Sequence, residues 1–223
     1  MIRNLFEEVN KMKIFRKMIL ASVLALTAFT FSAVAKEVTV DDVCASLTKH
    51  AVTTGNFVQE KKSASIKRPL KSYGTYIFTK DGIVWNTTKP FKTTMVITPT
   101  SIVQTQADGT SSVIDSSTSQ IFGTIAEMFS ALFGGNRAAL EKHFEIKTVN
   151  DASGWKLILT PKDATIASAM KQFTLAGTAN GNTVQLESLL IEESGTDSIL
   201  YTFSDQVYKE TLTNEEKAYF TSK

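Results

Sequence analysis

Short strand-like segments separated by turn signals make up most of this sequence, and no strand–helix–strand rhythm runs through them. Asp81-Gly82, Asp108-Gly109 and Asn180-Gly181 mark turns, and Asn180-Gly181 is the strongest hairpin sequence of the chain. The pattern predicts an antiparallel sheet of about nine or ten strands in a mainly β domain with helices. The strands are expected to begin near Phe57 and to lie near 71–79, 82–88, 92–98, 100–106, 144–149, 155–160, 171–179, 183–193 and 197–207.

Residues 72–99 carry bulky apolar side chains on both faces of their strands. A strand with one wet face alternates cleanly between apolar and polar residues. Here Tyr76 and Phe78 share one face, whereas Ile77 and Val84 belong to the other. We therefore expect a sheet curled into a half-closed barrel, with the aromatic residues on its concave face. Ile77 and Val84 should lie on the convex face, under another element.

One unusually apolar helix interrupts the strands. Its apolar residues recur at helical spacing from Ile121 to Phe133 and cover more than a single stripe, so the helix must be heavily buried. It is either a permanent core helix on the sheet or a lid over an apolar cavity, and the pattern alone leaves both open. Linings rich in aromatic residues and methionine suit flexible apolar ligands such as acyl chains.

Two adjacent glycines follow this helix. Gly134-Gly135 either forms a simple C-cap, after which Asn136 caps a second short helix, or lets the preceding helix swing. Both interpretations stay open at this stage.

Two more helices are expected near the ends of the domain. Thr39 has the features of an N-cap for a helix that runs to about His50 and is ended by Thr53-Thr54-Gly55. A weak terminal helix is expected over 213–220.

The N-terminus has the features of a secretory signal peptide. Lys13, Arg16 and Lys17 precede an uncharged, mostly apolar run over 18–31, and Ala33-Val34-Ala35 fits a cleavage site. The run is too short for a membrane span. We expect residues 1–35 to be removed, starting from either Met1 or Met12, and 36–223 to form a single domain that is soluble and not lipid-anchored.

The rest of the chain gives little support for catalysis. Residues 1–35 hold five of the 24 basic and two of the 22 acidic residues, which leaves 19 basic and 20 acidic residues and no reason to expect nucleic acid binding. His50 and His143 are expected at the surface, and no catalytic, metal-ligating or phosphate-binding motif occurs in the sequence. Cys44, the single cysteine, is expected to be a buried small hydrophobe. We expect the protein to have no enzymatic activity, no metal site and no cofactor.

The order of several short motifs resembles the periplasmic outer-membrane lipoprotein carrier (LolA-like) family. Each motif is weak alone, but together they run from near residue 40 to near 207 behind a signal peptide. They are Gly55-Asn-Phe-Val-Gln-Glu60, Arg68-Pro69-Leu70, Ser72-Tyr-Gly74, Ile83-Val-Trp85 followed by Lys89-Pro90, Leu159-Thr-Pro-Lys162 and Lys171-Gln-Phe-Thr-Leu175.

The resemblance implies an incomplete, half-open antiparallel β-barrel with a helical lid over a hydrophobic cavity. It also implies a monomeric carrier in the periplasm of a Gram-negative bacterium. Such a carrier takes acylated lipoproteins from an inner-membrane ABC transporter and delivers them to an outer-membrane acceptor. The cargo here could also be another lipid or glycolipid. A sensor or envelope-assembly module on the same scaffold, which exchanges no lipid, is the alternative.

The resemblance also suggests the residues of the site. The lid would contain Ile121, Phe122, Ile125, Met128, Phe129 and Leu132. Family members use an arginine at the end of the second strand to bond the lid carbonyls, and Lys80 stands at that position here. A lysine cannot make the forked contacts of an arginine, so this lock is in doubt. The cavity would be lined by Tyr76, Phe78, Ile83, Trp85, Met95, Ile97, Phe173 and Leu186.

Overall fold

Eleven antiparallel strands form one sheet in the computed structural model, which describes residues 37–115, 118–181 and 183–221. The strand order is β6-β5-β4-β3-β2-β1-β11-β10-β9-β8-β7, so two meanders join where β1 pairs with β11. The sheet is not closed into a barrel, because β6 and β7 are its two edges. The strands are β1 Val52–Lys62, β2 Leu70–Thr79, β3 Gly82–Lys89, β4 Thr93–Ile97, β5 Ser101–Gln106, β6 Ser111–Asp115, β7 Phe144–Asp151, β8 Gly154–Pro161, β9 Met170–Asn180, β10 Thr183–Glu193 and β11 Ser198–Lys209.

Five helices accompany the sheet in the described residues: α1 Val40–Thr48, α2 Gln120–Phe133, α3 Arg137–His143, α4 Ala164–Ala169 and α5 Asn214–Thr221. The predicted N-cap of α1 is confirmed, since Thr39 and Asp42 form a capping box. The proposed end of that helix at Thr53-Thr54-Gly55 is wrong, because those residues already belong to β1. Their pairing with β2 and β11 decides the conformation there. The sequence analysis missed β6 and α4.

The sheet is strongly curled, as the mainly β half-barrel prediction requires. The rings of Trp85 on β3 and Tyr201 on β11 have centroids 5.4 Å apart, although β2 and β1 lie between those strands. Three strand spacings in a flat sheet would separate the two strands by about 14 Å. The curl therefore brings distant strands into contact across the concave face.

Two glycines give aromatic rings the room to lie across a neighbouring strand. Gly55 of β1 pairs with Tyr76 of β2, and Phe57 of β1 pairs with Gly74 of β2. A Cβ atom on Gly55 would lie 2.6 Å from the carbonyl oxygen of Ser204 and 2.7 Å from the Tyr76 hydroxyl. A Cβ atom on Gly74 would lie 2.8 Å from the Phe57 ring. Each ring thus uses the side-chain space that the opposite glycine leaves empty.

The convex face is covered by the C-terminal helix. Ile77 and Val84 are buried there, as predicted, in a small cluster with Val52 and Val96. Tyr219 and Phe220 of α5, together with Leu212, pack on this cluster. The second apolar face of the strands is therefore explained by the chain's own terminus.

Polar contacts fix the start of α5. The Glu216 carboxylate accepts a bond of 2.9 Å from the Thr213 backbone N–H and pairs with the Lys209 ammonium at 2.8 Å. The Thr213 hydroxyl accepts a return bond from the Glu216 backbone N–H at 3.2 Å. This cap and ion pair hold α5 in one orientation on the sheet.

The substitution Gly55→Ala should destabilise the protein by about 1–3 kcal/mol, because the new methyl group would overlap the Tyr76 hydroxyl and the Ser204 carbonyl oxygen. Strand propensity alone predicts that the substitution would stabilise the protein, since glycine is a weaker strand former than alanine. Urea unfolding measures the change. Thr75→Ala, at an exposed position of β2, is the matched control and should change stability by a few tenths of a kcal/mol at most. An unchanged or raised stability of Gly55→Ala would show that Tyr76 does not lie over Gly55.

Candidate functional site

The eight residues proposed to line a cavity all lie in one hydrophobic cluster on the concave face, which we call the concave cluster. Met95 packs against it partly buried, and the other seven are buried. β2, β3 and β4 supply six of these side chains, whereas Phe173 comes from β9 and Leu186 from β10. The residues that define the cluster are Tyr76, Phe78, Ile83, Trp85, Met95, Ile97, Phe173 and Leu186.

Helix α2 packs into this cluster along its length. Met128, Phe129 and Leu132 are buried there, and the other three lid residues, Ile121, Phe122 and Ile125, are partly buried. The ring of Phe129 lies 5.7 Å from that of Trp85. Side chains of the helix thus occupy the space that the curled sheet encloses.

Phe133 was missing from the sequence-based lid residues, although it makes a short aromatic contact with the sheet. Its ring centroid lies 4.6 Å from that of Phe78, and the residue is buried. It stands four positions after Phe129, on the same helical face, so its spacing could have identified it. Tyr201 and Phe203 of β11 also escaped the sequence analysis, because only the curl of the sheet brings them against Trp85 and Tyr76.

Little free space remains between α2 and the sheet. One cavity, lined by Ile83, Ile97 and Phe129, has a volume of about 10 Å³. A second, lined by Tyr76, Phe78 and other residues of the sheet, α1 and α2, has a volume of about 20 Å³. Each holds about one water molecule, whereas sites for small ligands measure hundreds of cubic ångströms. The concave face is therefore filled by α2 together with buried residues of α1 and α3.

A larger groove opens at the C-terminal end of α2. Its volume is about 460 Å³, and Phe78 and Phe133 form part of its lining, together with Leu47 and His50. The groove is open to solvent and reaches the contact between Phe133 of the helix and Phe78 of the sheet.

Two polar groups inside the concave cluster have no hydrogen-bond partner among the described residues. They are the hydroxyl group of Tyr76 and the indole N–H of Trp85. Leaving a buried donor unpaired costs about 1–3 kcal/mol. Burial, and to a smaller extent the nearby Tyr208, raises the pKa of Tyr76 well above its ordinary value, and burial raises the pKa of Tyr201 to about 12.

Apolar contacts provide most of the attachment of α2. Ser119 stands at its N-cap position without a side-chain cap bond, and neither end of the helix carries a charge that would stabilise its dipole. A polar contact does occur between the exposed Glu127 carboxylate and His143 Nε2, at 2.6 Å. His143 is partly buried, and the Gln120 side chain at the start of the helix makes a further hydrogen bond with the Asp163 carboxylate.

The end of α2 is a regular glycine cap. Gly135 has a φ of 68°, and the N–H of Asn136 donates to the carbonyl oxygen of Ala131 at 2.8 Å. The Asn136 side chain then accepts a bond from the Ala139 N–H at 3.1 Å and starts α3. These bonds match the C-cap interpretation of the two glycines.

Lys80 does not contact the lid through its ammonium group in the described residues. The ammonium bonds Asp81 Oδ1 at 2.9 Å, and the side chain is mostly exposed. The structure therefore gives no support to a lid lock at this position.

Two further titratable residues of the described chain, Cys44 and His50, lie in ordinary structural surroundings. Cys44 is free and buried, and burial raises the pKa of its thiol. The ring of His50 stacks on that of Tyr208 at 4.5 Å. In the described part of the chain, no group of three or more His, Cys, Asp or Glu residues could hold a metal ion. A search of the same residues finds no helix long and apolar enough to span a membrane.

This open antiparallel half-barrel, with a helix packed on its concave face, is consistent with the LolA-like class of proteins. Residues 32–188 match the family model described as "Outer membrane lipoprotein carrier protein LolA-like". The chain therefore belongs to the LolA-like family, and the resemblance found in its sequence motifs is confirmed. No curated relative matches the chain.

Solved structures of several bacterial proteins are similar over most of their length. A LolA superfamily protein from Nitrosomonas europaea is 8% identical with a TM-score of 0.43, covering 79% of this chain and 94% of that one. A putative outer membrane lipoprotein-sorting protein domain from Vibrio parahaemolyticus is 7% identical with a TM-score of 0.42, covering 74% and 88%. The lipoprotein LppX of Mycobacterium tuberculosis is 15% identical with a TM-score of 0.36, covering 78% and 96%. The family assignment rests on the family model, because these likenesses are distant.

Stability should fall as the pH rises from about 10 to about 12. The ordinary pKa of a tyrosine is 10.0, and burial raises that of Tyr201 to about 12. The unfolded chain therefore releases this proton first, and alkaline pH favours unfolding within that window. Urea unfolding across this range measures the slope, which should be shallower for Tyr201→Phe. An identical slope in the variant would show that the Tyr201 phenol is not desolvated.

Proposed function

We propose that this protein carries the acyl chains of lipoproteins, or of a related lipid, through the periplasm of a Gram-negative bacterium. The concave cluster would hold the chains, and α2 would act as the lid. The observation that carries the proposal is that α2, a separate helix, fills the concave face through Phe129 and Phe133. A ligand of the same apolar character can replace such contacts without leaving the sheet exposed.

The energetics favour an exchange of helix for cargo. An acyl chain in water costs about 0.8 kcal/mol per methylene group, or roughly 12 kcal/mol for a chain of about fifteen. The protein must cover that chain and still release it, so the loaded and empty states have to be close in free energy. If α2 loses its apolar contacts with the sheet as the acyl chain enters, the free energies of the loaded and empty states stay close.

The groove beside Phe78 and Phe133 supports the proposal that cargo enters at the C-terminal end of α2. A chain that reaches this groove lies against the outer edge of the contact between helix and sheet. We propose that entry there separates the two rings, and that an inner-membrane ABC transporter and an outer-membrane acceptor supply and remove the cargo.

Native mass spectrometry of protein purified from the periplasm tests the carrier function directly. We expect a mature chain that begins at Lys36, with Cys44 unmodified and with co-purified acylated lipid. Uniformly lipid-free protein would instead favour a sensor or envelope-assembly module. A mass that includes residues 1–35 would contradict the proposed export, and a diacylated Cys44 would contradict a freely diffusing carrier.

Phe129→Ala tests the lid. The change removes the contact with Trp85 and weakens closure, since losing a buried phenylalanine costs about 3–5 kcal/mol. Because closure competes with cargo, affinity for a fluorescent acyl probe should stay equal or rise by up to about tenfold. Transfer of the probe to acceptor vesicles should slow, and stopped-flow fluorescence measures it.

Val84→Ala is the matched control for this experiment. It also removes a fully buried side chain, but from the convex face under α5. It should lower stability and leave probe affinity and transfer unchanged. If Phe129→Ala abolished binding in a folded protein, α2 would be a fixed wall of the site and not a lid.

A further inference from the structure

The Tyr76 hydroxyl and the Trp85 indole N–H lie on directly paired residues of neighbouring strands. Tyr76 of β2 is opposite Trp85 of β3, and both side chains are on the concave face. Each is almost completely buried, with 1% and 6% of its surface exposed. Neither polar atom has a partner among the described residues. Two unpaired donors therefore come from adjacent positions of an otherwise apolar cluster.

The other tryptophan shows that the fold is able to satisfy such a group. Trp155 is equally buried, and its indole N–H donates to the carbonyl oxygen of Thr178 at 3.1 Å. Phenylalanine at position 76 would give the same apolar packing without an unpaired donor, and the chain uses phenylalanine elsewhere on the concave face, at Phe78 and Phe203. The polar atoms of Tyr76 and Trp85 are thus not explained by the closed structure.

Residues of the same helix lie beside both aromatic side chains. Phe129 of α2 contacts the ring of Trp85, and Phe133 lines a cavity with Tyr76. Movement of α2 would uncover the two residues together. Any acyl chain that takes the place of the helix would then lie beside them.

The chemistry of the pair selects an uncharged acceptor. An indole N–H can only donate, and a phenol readily does so. A carboxylate or phosphate placed between these two side chains would be buried among apolar residues, because the Lys49 and Lys80 side chains that line the neighbouring groove are exposed to solvent. A carbonyl oxygen is a strong acceptor without a net charge.

We propose that Tyr76 and Trp85 recognise the ester or amide carbonyl groups that join acyl chains to the head of the cargo. This inference rests on the proposed carrier function and gives it a specificity. The apolar residues bind the chain, and the two donors fix how deep the chain enters. A plain hydrocarbon has no acceptor, and an ether-linked chain has only the weaker ether oxygen in place of a carbonyl oxygen, so both are bound less tightly.

The test compares two probes that differ only in the linkage. One is a diacyl phosphatidylglycerol, and the other is the dialkyl ether phosphatidylglycerol with the same chain lengths. Displacement of a fluorescent acyl probe from the mature protein gives both affinities. We expect the ester lipid to bind about tenfold more tightly than the ether lipid, as two neutral hydrogen bonds allow.

Tyr76→Phe is the sharpest variant because it removes one oxygen atom and keeps the ring. It should reduce the preference for the ester to about threefold by weakening ester binding more than ether binding, and leave the melting temperature of the empty protein equal or higher. Trp85→Phe should reduce the preference in the same way. Trp155→Phe is the control: it breaks an existing hydrogen bond, so it should lower the melting temperature and keep the preference.

The outcomes separate this inference from the carrier function. If neither lipid bound, the carrier function itself would fail. If both bound equally well to the unaltered protein, the carrier function would stand and the recognition of carbonyl groups would be refuted. If Tyr76→Phe lowered the melting temperature by several degrees, its hydroxyl would already be hydrogen-bonded in the closed protein, for example to a buried water, and the premise would be wrong.

Discussion

The curl of the sheet creates a concave apolar surface that must be covered, and the rest of the structure depends on how this is done. Aromatic residues from β2, β3 and β11 meet across the curl, which Gly55 and Gly74 permit by leaving room for the rings of Tyr76 and Phe57. The sheet does not close, so its own side chains leave part of the surface uncovered. Helix α2, together with apolar residues of α1 and α3, provides the missing apolar volume, and the cavities beside Ile83 and Tyr76 measure about 10 and 20 Å³.

The two faces of the sheet are covered in physically different ways. On the convex face, α5 lies over a small aliphatic cluster, and a capping box with the Lys209–Glu216 ion pair orients it. On the concave face, α2 has no side-chain N-cap and relies mainly on apolar contacts. Polar contacts are directional and fit one arrangement, whereas apolar contacts can be replaced by any apolar group of similar volume. A ligand can therefore substitute for α2 more readily than for α5.

Sequence reasoning found the parts of this architecture that follow from local patterns. Alternation and turn residues predicted the sheet, the excess of apolar residues predicted the burial of α2, and the eight proposed lining residues do lie in one cluster. It missed β6, whose residues 111–115 are mostly polar and exposed, and α4, which has only six residues. It also missed Tyr201 and Phe203, because contact across a curl depends on tertiary geometry. Sequence reasoning also could not predict that Lys80 pairs with Asp81 at the surface, because the position of a residue in the sequence does not determine which partner its flexible ammonium group contacts.

A carrier has to avoid an empty state that is too stable, because cargo must be able to open it. In the concave cluster, the donors of Tyr76 and Trp85 have no partner among the described residues, at a cost of about 1–3 kcal/mol each. In the proposed carrier, that cost would raise the free energy of the empty, closed protein and lower the free energy needed to displace α2. If an incoming acceptor satisfies the same donors, the cost disappears in the loaded state. The Tyr76 hydroxyl and the Trp85 N–H would then raise the free energy of the empty protein and lower the free energy of its complex with cargo. Apolar residues at these two positions would stabilise only the closed, empty protein.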